Sequence, residues 1–232
     1  MKIALTGNPN SGKTTTYNAL TGMHERVGNW AGVTVEKKEA PISKKFYVST
    51  EELIAVDLPG AYSMSPFTSE ESITSAYVKN ANPDVIINVV DATNLSRSLF
   101  FTTQLLELDV PVVVALNKTD INDKKDTRIN VAELSKKLGC PVIKTVSTDE
   151  QGLAEVVKTA VEQVGKGQKA PYSQGEVDME NKDEVMEADK KRFAFVNKIV
   201  ASVEKRKVLT REKNSQDKLD EILTNRFLGL PI

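Results

Sequence analysis

The sequence of 232 residues has little of what disulfide frameworks and membrane spans require. It contains one cysteine, Cys140, which excludes an internal disulfide and favours a reducing compartment. Its longest apolar runs, at 85–90 and 111–116, are too short to cross a bilayer. The first residues already read as a strand, which leaves no room for a signal peptide. From these absences we expect a soluble, intracellular chain.

A surplus of charge is missing as well. Lysine and arginine number 31 against 32 aspartates and glutamates, for a net charge of −1. Without a basic surplus to neutralise phosphates, we expect no nucleic-acid partner. The apolar content of 40% and the charged content of 27% are typical of a globular protein. The length allows one domain with a full core and a smaller appendage.

Residues 7–14 read G-N-P-N-S-G-K-T, the pattern of a phosphate-binding loop between a strand and a helix. Gly7 and Gly12 permit the tight turn that aims backbone N–H groups at phosphate oxygens. Lys13 can reach the β- and γ-phosphates, and the Thr14 hydroxyl can bind Mg²⁺. The alternative is a glycine-bearing turn with a surface lysine. The candidate nucleotide-binding residues of this loop are Asn8, Pro9, Asn10, Ser11, Gly12, Lys13, Thr14 and Thr15.

A second motif, D-L-P-G at 57–60, follows an apolar strand. An aspartate at that position is where Mg²⁺ needs a carboxylate, so Asp57 is a candidate metal ligand. The backbone N–H of Gly60 can reach the γ-phosphate. Alone this motif is weak, but downstream of a phosphate loop it favours a nucleoside triphosphate site.

The motif N-K-T-D at 117–120 indicates which base is bound. The Asp120 carboxylate can accept both the ring N–H and the amino group of guanine, a pairing that adenine cannot offer. Asn117 can brace the loop, and the stem of Lys118 can lie over the base. Backbone N–H groups in the segment Val146, Ser147 and Thr148 can meet the guanine carbonyl. A polar surface turn is the alternative interpretation.

Strand-like and helix-like segments alternate along the first 165 residues, with expected helices at 69–80, 95–108, 131–138 and 153–164. This alternation predicts an α/β fold with a mostly parallel, doubly wound sheet and ligands at the carboxyl ends of the strands. Residues 33–39 are expected to form one antiparallel edge strand against 53–56. Residues 21–33, which contain three glycines, are expected to form a mobile loop.

The composition changes after residue 164, where a linker rich in glycine and lysine begins. Apolar residues then recur at helical spacing over 185–203 and 215–228, which predicts two amphipathic helices. We therefore expect a nucleotide-binding domain over 1–165 and a small all-helical domain over 166–232. The two helices could also serve only to buttress the nucleotide-binding domain.

Longer motifs are more specific than the general nucleotide-binding pattern. They are G-N-P-N-S-G-K-T at 7–14, R-V-G-N-W-A-G-V-T-V-E at 26–36, D-L-P-G-A-Y-S-M-S-P at 57–66, D-A-T-N-L at 91–95 and D-K-L-D-E-I-L-T-N-R-F-L-G-L-P-I at 217–232. This set resembles the bacterial ferrous-iron transporter family FeoB. The resemblance implies a Ras-like P-loop GTPase followed by a helical domain that stabilises bound GDP, at the cytoplasmic face of the bacterial inner membrane. It implies the transmembrane region of the same protein as a partner, and leaves open small cytosolic accessory proteins of the iron-uptake system and a homo-oligomer.

The residue after D-L-P-G is Ala61, where Ras-like proteins have the glutamine that orients the attacking water. The resemblance implies that K⁺ assists hydrolysis instead, bound by the Asn10 side chain and the backbone carbonyls of Gly28 and Trp30. A turn residue that bonds its own backbone is the alternative for Asn10. The resemblance also implies that Thr34 binds Mg²⁺, flanked by Gly32 and Val33 at the nucleotide. The catalytic residues are then Asn10, Lys13, Thr34 and Gly60.

Two positions depart from the family pattern. Many members have methionine where this chain has Lys118, and the segment 146–148 lacks the common S-A dipeptide. The first departure favours a firm preference for guanine and the second a fast exchange of nucleotide. Two other functions stay open: a soluble K⁺-dependent GTPase of ribosome or tRNA maturation, and a non-hydrolysing nucleotide-dependent interaction module.

Overall fold

The structure, a computed structural model, describes residues 1–22, 26–30, 36–48, 51–65, 68–175, 177–178 and 181–206. Its strands are β1 (Lys2–Gly7), β2 (Arg26–Asn29), β3 (Glu36–Pro41), β4 (Ile54–Asp57), β5 (Val85–Asp91), β6 (Val112–Asn117), β7 (Thr127–Ile129), β8 (Val142–Lys144) and β9 (Glu204–Arg206). Its α-helices are α1 (Lys13–Thr21), α2 (Ser69–Asn80), α3 (Leu95–Leu105), α4 (Thr119–Lys124), α5 (Val131–Leu138), α6 (Leu153–Gln163) and α7 (Lys182–Val203).

Seven of the described strands form one sheet in the order β2-β3-β4-β1-β5-β6-β8. From β4 to β8 all neighbours are parallel, whereas β3 is antiparallel to both β4 and β2. The predicted α/β fold with a mostly parallel sheet and an antiparallel edge is therefore confirmed. The edge has two strands because Arg26–Asn29 forms β2, so the expectation of a loop throughout 21–33 was wrong at these four residues.

The central strands are buried on both faces, which explains why they read as continuous apolar runs. Along β1, Ile3 and Leu5 point into one core cluster, with Tyr17 and Leu20 of α1 and Val156 of α6. Ala4 points into the other cluster, with residues of α2, α3, α5 and α7. Helices on both faces leave the carboxyl edge of the sheet open for the loops that follow β1, β4, β5 and β6.

Helix α7 confirms the amphipathic helix predicted around 185–203. Its apolar residues Val196, Ile199, Val200 and Val203 are buried in the same cluster as Leu99 of α3. At its end β9 pairs antiparallel with β7, which the sequence analysis did not predict. The predicted helix at 215–228 lies outside the described residues.

Within the described ranges, no helix combines the length and the apolar character that crossing a bilayer requires. Even α7, with 22 residues, carries charged side chains along its length.

Candidate functional site

The loops after β1, β4 and β6 meet in a cleft of about 520 Å³ at the carboxyl edge of the sheet. The described residues that line it are Asn8, Pro9, Asn10, Gly12, Lys13, Thr14, Thr15, Gly60 and Lys118. The structure thus brings together the phosphate loop, the glycine of D-L-P-G and the lysine of N-K-T-D, as the strand order requires.

The phosphate loop contains two residues in the left-handed region. Asn10 has φ of 65°, which a short amide side chain tolerates better than most residues, and Gly12 has φ of 94°. At Gly12 a Cβ atom would lie 2.3 Å from Asn117 Nδ2. At Gly7 it would lie 2.5 Å from the carbonyl oxygen of Val89. Both glycines are therefore required by close approach, the first to the base-binding loop and the second to β5.

Lys13, which lines the cleft, forms an ion pair with Asp57. Lys13 is the first residue of α1, and Asp57 is the last residue of β4, which lies next to β1 in the sheet. Their side chains are about nine-tenths buried, so the ammonium neutralises a carboxylate that is largely removed from water. A cationic group therefore already contacts the carboxylate that was predicted to bind Mg²⁺.

The segment after Asp57 is tied to the phosphate loop by its backbone. The N–H of Ala61 donates to the carbonyl oxygen of Gly7 at 3.2 Å, and a Cβ atom at Gly60 would lie 3.3 Å from Pro9. The Ala61 side chain is buried in the core rather than directed to the cleft, with 1% exposure. The position after D-L-P-G therefore offers the cleft no functional side chain.

Asn117 joins the base-binding loop to the phosphate loop. Its Nδ2 donates to the Ser11 carbonyl at 2.9 Å, and its Oδ1 accepts from the Ser147 N–H at 3.0 Å and the Ser147 hydroxyl at 2.9 Å. All three residues are buried. The predicted bracing role of Asn117 has a direct geometric basis here. The 146–148 segment was predicted to meet the guanine carbonyl with its backbone N–H groups. In this segment the N–H of Ser147 is bonded to Asn117, and Val146 forms a backbone bridge with Gln151. Thr148 is exposed.

Lys118 also has partners on two loops. Its Nζ donates to the backbone carbonyl of Asn10 and to Asp91 Oδ2, the latter at 2.6 Å. Asp91 ends β5 and lies opposite Asn117 in the sheet register. The sequence analysis named Asp91 only as the first residue of the D-A-T-N-L motif. The signal that could have identified it is its place at the carboxyl end of the strand beside the N-K-T-D strand.

Asp120 lies in the first turn of α4 and keeps 38% of its side chain exposed. Its described ion-pair partner is Lys124, one turn along the same helix at 3.5 Å. Exposed pairs of this kind are weak, so the carboxylate remains available to a ligand.

Of the residues expected at the cleft from the 26–36 motif, Gly28 and Trp30 are not among the described residues that line it. Gly28 pairs with Lys37 in the β2–β3 ladder. The Trp30 ring packs edge-on against Tyr77 of α2, with centroids 5.3 Å apart. Burial, together with Glu39 and Asp84, raises the pKa of Tyr77 to about 12, so this contact is between neutral rings. Gly32, Val33 and Thr34 lie outside the described residues.

Comparison with known proteins decides the family. The sequence model of the family described as Ferrous iron transport protein B matches residues 1–160. The chain belongs to this family. The Fe(2+) transporter FeoB of Salmonella typhimurium (strain LT2) is 49% identical over 166 residues, covering 70% of this chain and 21% of that protein. The chain therefore spans about a fifth of the length of this FeoB relative.

Solved FeoB structures share the fold. The cytosolic domain of L. pneumophila FeoB superposes with a TM-score of 0.78 at 29% identity, covering 89% of this chain and 100% of that one. The cytosolic domain of T. maritima FeoB in a GDP form gives 0.77 at 27% identity, covering 88% and 98%. The chain thus has the GTPase fold of the FeoB amino-terminal domain.

Proposed function

We propose that this chain binds guanine nucleotides and hydrolyses GTP, and that K⁺ stimulates the hydrolysis. The observation that carries the proposal is the cleft lined by both Lys13 of the phosphate loop and Lys118 of the N-K-T-D loop, with Asp57 paired to Lys13. A phosphate-binding element and a base-binding element held at one sheet edge support a nucleotide ligand. The GDP form of the T. maritima relative supports guanine as the base.

Asp120 is proposed to select guanine. Its carboxylate is partly exposed and only weakly paired with Lys124, so two guanine donors can approach it. Asn117 and Ser147 brace the loop by their hydrogen bond, and Thr148 is the exposed residue of the 146–148 segment.

Asp120→Asn tests this assignment because an amide presents a donor where guanine also presents one. We expect GDP affinity to fall at least tenfold and xanthosine diphosphate affinity to rise. Competition binding with both nucleotides measures the change. Asp123→Asn, on the same short helix, is the matched control. Unchanged GDP binding in Asp120→Asn would show that the base is read elsewhere.

Mg²⁺ is proposed to bind near Thr14 and Asp57, with Thr34 as a further ligand. A hydroxyl and a carboxylate are oxygen donors that this hard cation prefers, and the ion pair of Asp57 with Lys13 marks that position as one that accepts positive charge. When bound, Mg²⁺ supplies charge neutralisation to the β- and γ-phosphates. The chain's own contribution is the lysine, the Gly60 N–H and the backbone of residues 8–15.

K⁺ is proposed to assist hydrolysis in place of the glutamine that this site lacks. Ala61 is buried, so no side chain from that position can orient water. Asn10 lines the cleft and would hold K⁺ through its side-chain oxygen, with the carbonyls of Gly28 and Trp30. Gly28 is paired with Lys37 in the β2–β3 ladder and the Trp30 ring packs on Tyr77, so the proposal uses the backbone carbonyls of these two residues and not the Trp30 side chain.

We further propose that this activity regulates a ferrous-iron transporter from the cytoplasmic side, as the cytosolic portion of a longer protein. The division into a nucleotide-binding domain over 1–165 and a helical domain over 166–232 belongs to this proposal. The transmembrane region of the same protein is then the partner. Accessory proteins of iron uptake and a second copy of the chain are further candidate partners.

The rate of phosphate release in KCl and in NaCl tests the K⁺ mechanism. We expect GTP turnover by the wild-type chain to be at least tenfold faster in KCl, and Asn10→Ala to lose that difference while GDP still binds. Asn197→Ala, an exposed asparagine on α7, is the matched control and keeps the full K⁺ response. Equal turnover in the two salts would refute K⁺ stimulation, and no turnover in either would favour a non-hydrolysing module.

A further inference from the structure

Asp91 is held in one orientation by its own loop. Its Oδ1 accepts the Thr93 N–H at 2.8 Å and the Thr93 hydroxyl at 2.7 Å, which caps the short turn after β5. Its Oδ2 accepts the Lys118 ammonium at 2.6 Å. With only 15% of its side chain exposed, the carboxylate has both oxygens committed to protein donors. Such charge-assisted bonds are the stronger kind.

Lys118 is the residue that this orientation controls. Fixing a long lysine side chain costs conformational entropy, so it needs strong partners to remain in one place. Its two described partners are Asp91 and the carbonyl of Asn10. Asp91 is the charged one of the two and the one with an independently fixed position.

The bonds of Asn117 and Lys118 together hold two consecutive carbonyls of the phosphate loop. Asn117 donates to Ser11 and Lys118 donates to Asn10. Asn10 has a left-handed backbone, with φ of 65°, and the bond from Lys118 restrains its carbonyl in that conformation. Loss of the Lys118 bond releases the restraint at the residue whose side chain lines the cleft.

We propose that Asp91 is a positioning residue of the nucleotide site. It fixes the Lys118 ammonium, and thereby both the Asn10 backbone and the place where the lysine stem meets the base. The effect on nucleotide release rests on the proposed function, whereas the effect on Lys118 does not.

A labelling experiment on the nucleotide-free chain tests the link to Lys118 directly. Lysines are acylated with an N-hydroxysuccinimide ester, and the rate at each residue is read by mass spectrometry. Asp91→Asn keeps an oxygen for Thr93 but removes the charge. We expect Lys118 to be labelled at least threefold faster in Asp91→Asn, with Lys124, whose side chain is 77% exposed, as the internal reference. An unchanged ratio of Lys118 to Lys124 labelling would overturn the proposal.

A double-mutant cycle tests the effect on nucleotide. We expect GDP to dissociate about tenfold faster from Asp91→Asn, which is the effect of losing one hydrogen bond between charged groups. Lys118→Met should release GDP at least as fast. The double variant should release GDP no faster than Lys118→Met, because Asp91 acts through the lysine. Additive effects would mean that Asp91 acts by another route.

Asp84→Asn is the matched control for the loss of a carboxylate at the end of a strand. Asp84 directly precedes β5, at the amino end of the strand that Asp91 ends, and accepts the Lys2 N–H at 2.6 Å. We expect it to leave GDP release and Lys118 labelling unchanged. A wild-type chain that binds no GDP would contradict the proposed function, while the labelling result would still decide the role of Asp91.

Discussion

Gly12 of the phosphate loop lies against Asn117 of the base-binding loop. Gly12→Ala would place a methyl group 2.3 Å from Asn117 Nδ2 at a φ of 94°. The strained backbone alone costs about 1–2 kcal/mol, and Asn117 would also have to give up its bond to Ser11. We expect the free energy of unfolding to fall by about 3 kcal/mol and GDP binding to be lost.

Urea unfolding and GDP titration measure these two effects. Gly167→Ala is the matched control, since nothing lies within 4 Å of a Cβ atom there and its φ is not in the left-handed region. We expect that variant to behave as the wild type. If Gly12→Ala were as stable and bound GDP as tightly, the close approach to Asn117 would not exist in solution.

Cys140 makes stability depend on pH above neutrality. Burial raises the pKa of its thiol to about 12, whereas an exposed thiol has a pKa of about 8.5. Above pH 8.5 the unfolded chain therefore binds fewer protons at this residue than the folded chain, and the free energy of unfolding falls as pH rises. Between pH 8 and pH 10 this contribution amounts to about 2 kcal/mol.

Cys140→Ala removes this contribution without leaving a titrating group. We expect the stability difference between wild type and Cys140→Ala to shift by about 2 kcal/mol in favour of the variant from pH 8 to pH 10, as measured by urea unfolding. A difference that does not change with pH would show that the thiol becomes exposed in the native state.

Among the helices, α7 carries a buried charge that joins it to the segment just after α3. The Arg192 side chain is 4% exposed and pairs with Glu107 at 2.6 Å, and its guanidinium also lies 4.8 Å from the Tyr172 ring. Removing one partner of a buried pair leaves the other charge unpaired and typically costs about 3–5 kcal/mol. We expect Arg192→Ala to destabilise the chain by about 3 kcal/mol.

The neighbouring residue offers a matched control for this prediction. Lys191 is exposed and pairs with Glu187 one turn away at 3.7 Å, so Lys191→Ala should cost less than about 0.5 kcal/mol. Thermal or urea unfolding of both variants measures the contrast. Equal, small effects would mean that the Arg192–Glu107 pair contributes little to stability.

The elements that could be predicted from sequence are those with a long periodic signal or a motif. The runs at 85–90 and 111–116 became β5 and β6, and the spacing over 185–203 became α7. Strands β2, β7 and β9 have three or four residues, too few for a pattern to be recognised, and they exist because a neighbouring strand is present. Their pairing is a tertiary effect that no local sequence window contains.

The same distinction applies to the candidate site. Residues of the phosphate loop, D-L-P-G and N-K-T-D could be predicted because a parallel sheet places the carboxyl ends of its strands together. The bonds of Lys118 to Asn10 and Asp91 join residues 108 and 27 positions apart, and their existence depends on side-chain geometry. The pairing of Gly28 with Lys37 and the packing of the Trp30 ring on Tyr77 could not be predicted, since a motif records residue types and not the conformation in which they lie.

Across the whole molecule, β9 connects the end of α7 to the region of the base-binding loop. It pairs with β7, which follows α4, and α4 carries Asp120 in its first turn. Two deletions distinguish the contribution of β9 from that of the residues after it. Deleting 204–232 removes β9, whereas deleting 207–232 keeps it. We expect faster GDP release from the first variant than from the second, measured with a fluorescent GDP analogue. Equal rates would show that β9 has no effect on nucleotide release.

The β7–β9 pair is also the first part of the fold on which a pulling force applied to the chain after β9 would act. Tension on the chain beyond Arg206 would act first on the pairing of Arg206 with Thr127, only three residues after the end of α4 at Lys124. A force generated further along a longer protein would thus act on the base-binding side of the cleft before it reached the central sheet. Conversely, a change in the position of α4 would be passed through β7 to β9, and would move Arg206, the end of β9.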